Sequence, residues 1–80
     1  MDIWFVNIHL PLEEDGSDLL ELGRISGSFD AFRSGRGAKT WTYTFRFHTE
    51  EEAYKFFDIV ERLLPSENWY SDQPVGHYKV

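Results

Sequence analysis

Residues 40–49 read Thr-Trp-Thr-Tyr-Thr-Phe-Arg-Phe-His-Thr, a two-residue alternation of polar and aromatic side chains. Successive strand residues point to opposite faces, so Trp41, Tyr43, Phe45 and Phe47 form one stripe and Thr42, Thr44, Arg46 and His48 the other. The pattern predicts a half-buried antiparallel strand. Residues 3–10 repeat it more weakly: Trp4, Val6, Ile8 and Leu10 share one face, Ile3, Phe5, Asn7 and His9 the other, and Pro11 ends the run. Glu13-Glu14-Asp15-Gly16 then reads as a polar turn.

Between these strands the signals are shorter. Ser17 is placed to cap a helical turn over residues 18–22, with Gly23 as its stop, although a loop or extended segment fits nearly as well. Residues 24–33 are predicted to pair with the aromatic strand through a reversal at Ser34-Gly35-Arg36-Gly37-Ala38, whose glycines suit positive φ. Centred on Arg36, that hairpin sets Ala31 opposite Trp41, Phe29 opposite Tyr43, Gly27 opposite Phe45 and Ile25 opposite Phe47. Each aromatic would then face an apolar or small residue.

Thr49-Glu50-Glu51-Glu52 is a capping box. Ala53, Phe56, Phe57, Val60, Leu63 and Leu64 follow at helical spacing, with charges opposite them, and Pro65 closes the helix. In the tail, Trp69, Tyr70, Val75, Tyr78 and Val80 around Asp72-Gln73-Pro74 predict one or two short strands. The expected fold is therefore α+β, one domain over residues 1–80. It is a small antiparallel sheet with an amphipathic helix on one face, in the order β, short α or loop, β, β, α, β. That order resembles a reduced ferredoxin-like sandwich. The resemblance is one of element order and implies no activity.

Composition narrows the class. With no cysteine, packing alone must stabilise 80 residues, and fourteen Phe, Tyr and Trp supply the apolar area. The N-terminus lacks the pattern of a signal peptide, and no apolar run approaches a membrane span, so a soluble cytoplasmic domain with no membrane partner is expected. The net charge is −6, unevenly spread: residues 1–23 carry −6, residues 24–46 carry +4 and residues 47–80 carry −4. An acidic balance argues against direct binding of nucleic acid, as does a strand that turns its aromatics inward rather than towards bases.

The candidate chemistry is sparse. His9, His48 and His77 stand on separate elements without ligand spacing, and no nucleophile or metal constellation is present, so neither a cofactor nor catalysis is expected. Ser34-Gly35-Arg36-Gly37-Ala38-Lys39 lacks phosphate-loop spacing and precedes a strand, so a solvated hairpin tip is expected, with Arg33, Arg36 and Lys39 as anchors for an acidic or phosphate partner the alternative. Glu13, Glu14 and Asp15, extended by Asp18, Glu21 and Asp30, are more suggestive. Such a carboxylate series imitates phosphates and complements a basic surface on another protein. The expected function is a small acidic, non-enzymatic inhibitor that blocks the nucleic-acid-binding surface of its target, in the manner of phage anti-defence, anti-CRISPR or immunity proteins. The alternative is a self-associating domain, a homodimer in its simplest form, using Phe5, Phe32, Trp69 and Tyr70. A small enzyme or ligand-binding domain built on His9 and His48 is the remote third reading.

Overall fold

The computed structural model describes residues 1–65, 69–71 and 74–80. Its elements are β1 (Asp2–Pro11), α1 (Ser17–Ile25), β2 (Asp30–Arg36), β3 (Thr40–Phe47), α2 (Glu50–Leu63) and β4 (Gly76–Lys79). The strands form one sheet in the order β2-β3-β1-β4, every neighbouring pair antiparallel. This is an α+β architecture, and nothing in its order conflicts with a ferredoxin-like plan.

The two alternating strands lie side by side in the centre. Trp4 pairs with Phe47, Val6 with Phe45, Ile8 with Tyr43 and Leu10 with Trp41, which sets both apolar stripes on one face. α1 and α2 cover that face. Val6, Ile8, Phe45, Phe47, Phe56 and Val60 are fully buried there, and Phe45 and Phe56 meet with ring centroids 4.6 Å apart. α2 begins with half of the predicted capping box: the Thr49 hydroxyl accepts from the Glu52 N–H at 3.2 Å, whereas the Glu52 carboxylate reaches back to the Thr49 hydroxyl, at 3.0 Å, rather than to its backbone N–H. The helix ends at Leu63, because Pro65 drives the preceding residue, Leu64, to φ −110° and ψ 133°. Of the six apolar positions expected inward on α2, Ala53, Phe56 and Val60 are buried and Phe57 and Leu64 half-buried, whereas Leu63 is 65 % exposed.

α1 departs from expectation in a way that changes the sheet. It is a nine-residue helix that runs straight through Gly23. Gly23 does not stop it; a Cβ at this position would overlap the ring of Phe45, so the glycine lets the helix lie directly on the core. The stop is Gly27, at φ 101°. The Ser28 N–H bonds the Gly23 carbonyl at 3.1 Å and the Gly27 N–H bonds the Arg24 carbonyl at 3.2 Å, the two bonds of a Schellman ending. Residues 24 and 25 are thereby used in the helix, and β2 cannot begin until residue 30.

The expected hairpin register is consequently wrong. Ala31 pairs with Phe45 rather than Trp41, Arg33 with Tyr43 and Arg36 with Trp41. The reversal is centred beyond Arg36, on Ala38 and Lys39, with the Gly37 N–H bonded to the Thr40 carbonyl at 2.7 Å. Neither Gly35 nor Gly37 has positive φ. A register shift between Arg33 and Gly35 marks a bulge at Ser34. In the tail, β4 pairs with β1, and Tyr70 makes an isolated bridge to His9; the predicted turn residues Asp72 and Gln73 lie outside the described residues.

Phe45→Ala removes the ring on which β1, β2, α1 and α2 converge. Truncating a fully buried Phe costs about 3–5 kcal/mol, a large share of the stability of so small a domain. Thr44→Ala, one residue away on the opposite face, loses hydroxyl bonds to Asn7 at 2.7 Å and Ser34 at 2.7 Å. That loss is expected to cost about 1 kcal/mol. Urea denaturation of both variants checks the face assignment, and comparable losses would contradict it.

Candidate functional site

The six acids expected to form a surface do not stay together. Glu13, Glu14 and Asp15 are exposed in the loop after β1, and Asp18 and Glu21 are exposed on α1. Spaced three apart, these last two share a helix face and continue the loop's charge along α1. Asp30 belongs elsewhere. It lies on the open face of the sheet, ion-paired to Arg46, at the end remote from the Pro11–Thr40 pair and the acidic loop.

Asp15 has a second task. Its Oδ1 accepts from the Ser17 hydroxyl at 2.5 Å and from the Ser17 N–H at 2.9 Å. The cap expected from Ser17 is thus supplied in reverse: Gly16 is the N-cap residue without a side chain to offer, and Asp15 receives the first-turn donors. Those two bonds, the hydroxyl first, hold the Asp15 carboxyl below its ordinary range.

Charge is partitioned by element. α1, α2 and the loop before α1 carry ten acids against three bases (Arg24, Lys55 and Arg62), whereas the strands and the β2–β3 turn carry five bases against two acids. The bases of the β2 edge are already engaged. The Arg33 guanidinium lies 3.8 Å from the centre of the Trp41 ring and that of Arg36 lies 5.6 Å away, so both cover the end of the aromatic stripe that the helices leave open.

A shallow groove runs between α1 and the C-terminal end of α2, beside the acids. Its two sections, ≈ 210 and ≈ 230 Å³, share Asp18, Leu19 and Leu64. Leu22 and the exposed Leu63 complete one section; Leu10, Pro65 and Trp69, with Glu14 and Asp15 at the rim, complete the other. Among the described residues no Lys, Arg or His lines either section. A larger hollow of ≈ 530 Å³ at the end of the sheet contains both Glu13 and Lys39, one charge of each sign among the described residues that line it.

The open sheet face is different again. Phe5, Phe32 and Tyr78 point outward from β1, β2 and β4 around a depression of ≈ 290 Å³ that also contains Asn7, Thr44 and Arg46. These aromatics escape a reading based on β3 alone, which turns its own rings inward. Tyr78 and Asp30 both accept from Arg46 and push its pKa up, the tyrosine hydroxyl most, against a smaller opposing effect of burial. With Asp30 and Arg46 paired, this face offers no surplus cation to a phosphate chain. His9 and His48 do not meet: His9 stacks on Tyr70 and lies 2.9 Å from the Thr42 hydroxyl, whereas His48 stacks on Phe29 beyond the other end of β3. Among the described residues no group of three His, Asp or Glu side chains converges as metal ligands, and no helix is long and apolar enough to cross a membrane.

No protein-family model, curated protein or solved structure matches this chain.

The groove leucines are the residues that sequence reasoning missed as a site. A signal for them exists: Leu19, Leu20, Leu22 and Ile25 span more than one face of a nine-residue helix, more apolar surface than a single contact with the sheet can cover.

The Asp15 cap gives a pH-dependent expectation. A depressed folded-state pKa adds stability above the unfolded value of about 4, and that contribution is lost as pH falls through the lower folded-state value. Wild type is therefore expected to exceed Asp15→Ala in stability near pH 7, with the gap closing in acid. Urea titrations from pH 7 down to pH 2.5 read this directly; a gap that does not change with pH would contradict the cap.

Proposed function

We propose that this chain is a non-catalytic protein-binding inhibitor that presents its acidic helical layer to a Lys/Arg-rich surface of its target. The supporting observation is the partition of charge by element. Ten acids stand on or beside the helices, and five of them, Glu13, Glu14, Asp15, Asp18 and Glu21, form one exposed run. The engagement of Arg33 and Arg36 with Trp41 favours this surface over the basic hairpin tip. Channels that handle nucleic acid are the surfaces richest in the complementary charge, and carboxylates at this density stand in for phosphates. The reading is thus an anti-defence, anti-CRISPR or immunity type of inhibitor acting in the cytoplasm. Fixed dipoles and charges would steer encounter, and short-range contacts would then hold the complex.

A second reading, self-association, is favoured by one observation: Phe5, Phe32 and Tyr78 share the open sheet face, with no described helix laid over them. Light scattering over a concentration series separates it from the first, since a mass that stays monomeric would remove it.

The test of the main reading uses purified RNA-guided nucleases and nuclease toxins as a panel. Capture with slowed cleavage is expected for a basic effector. Neutralising Glu13, Glu14, Asp18 and Glu21 to Gln or Asn, with Asp15 kept as the cap, is expected to slow association about tenfold at low salt and less at high salt. An unchanged on-rate for that variant, with a slowed one for Arg36→Gln/Lys39→Gln, would move the interface to the hairpin tip. No capture across the panel would contradict the inhibitor reading.

A further inference from the structure

We infer that the α1–α2 groove receives a basic amphipathic segment of the partner, its apolar side chains on Leu19, Leu22, Leu63 and Leu64 and its Lys/Arg side chains on Glu14, Asp15 and Asp18. The inference rests on the acidic layer being the docking surface and narrows the partner's chemistry. Carboxylates alone accept any cation, and a leucine floor alone accepts any apolar group. Here the two are contiguous, because Asp18, Leu19 and Leu64 line both sections. Leu63 marks the groove as unfinished: it is 65 % exposed at the end of α2, beside the half-buried Leu22 and Leu64. A segment laid from Leu63 along the groove would meet Asp18 beside Leu63, then Glu14 and Asp15 in the adjoining section, and among the described residues no lining base. A segment with apolar residues at i, i+3 and i+4 and Lys/Arg beside them satisfies both requirements, as helices seated in grooves do.

A second copy of this chain does not supply that segment. Both described helices carry more acids than bases, so either one laid in the groove would set carboxylate against carboxylate. The occupant is therefore a different chain whose exposed helix is basic on one side and apolar on the other.

The experiment titrates the full-length, isotope-labelled chain with two synthetic peptides of equal charge, a leucine–lysine amphipathic helix and oligolysine. The expected result is tighter binding of the leucine–lysine helix, with amide shifts at residues 18–22 and 62–64. Leu63→Ser, which changes an exposed side chain and adds no charge, is expected to weaken that peptide roughly tenfold and leave oligolysine unaffected. If both peptides bind alike, Leu63→Ser changes neither and Glu14→Gln/Asp18→Asn weakens both, the groove is not the site and the acidic layer stands. If neither peptide binds, or the shifts fall on the open sheet face, both readings are overturned.

Discussion

The contact between Gly23 and Phe45 is the constraint on which the remaining geometry depends. Phe45 sits at the centre of β3, fully buried, with Val6 and Ala31 beside it in the sheet and Phe56 against its ring. A helix crossing that ring must approach without a side chain, and α1 places its buried glycine there. Because the helix continues through Gly23 to Ile25, its carbonyls are closed at Gly27, β2 starts at Asp30, and the β2–β3 pairing follows. A helix that stopped at Gly23 would free six more residues for the sheet and impose a different register.

The same contact shapes the surface. With α1 seated on Phe45, Leu19 is buried, Leu22 turns towards Leu63 and Leu64, and Asp18 and Glu21 remain outside in line with the loop acids. The acidic layer and the leucine groove are thus two faces of one helix placement. The opposite sheet face is governed by cross-strand pairs instead: Asn7 with Thr44, His9 with Thr42, and Arg46 with Asp30 and Tyr78. Among the described residues the one strand cation on that face, Arg46, is paired with Asp30, which leaves the helical side as the strongly charged one.

Period-two alternation made β1 and β3 legible, and their true pairing keeps both apolar stripes on one face. The α2 start was legible because a capping box is local chemistry. The α1–β2 connection was not: Gly23, Gly35 and Gly37 read as the punctuation, whereas Gly27, the glycine that turns the chain, read as a strand residue. Which one turns the chain is decided by a tertiary fact, the ring beneath Gly23, that no local propensity carries. The hairpin error followed from it. The acids on the loop and α1 were legible as one charged run. Asp30 was misgrouped because sequence gives its charge and not its partner, Arg46. The groove lay hidden because Leu63 fits the helical stripe of the core, and only the end of α2 at Pro65 leaves it exposed.

The most direct measurement is the sign of the stability change on Gly23→Ala, with Gly35→Ala as reference. In a helix interior Gly→Ala ordinarily stabilises by about 0.5–1 kcal/mol. Here the added methyl would press on a ring that Phe56 and the sheet hold in place, and overpacking of this kind costs about 1–3 kcal/mol. At Gly35 a Cβ meets nothing within 4 Å. Urea denaturation is therefore predicted to show Gly23→Ala clearly destabilised and Gly35→Ala close to wild type. A stabilised Gly23→Ala would mean that α1 does not rest on Phe45, and the account of register, acidic layer and groove would fall with it.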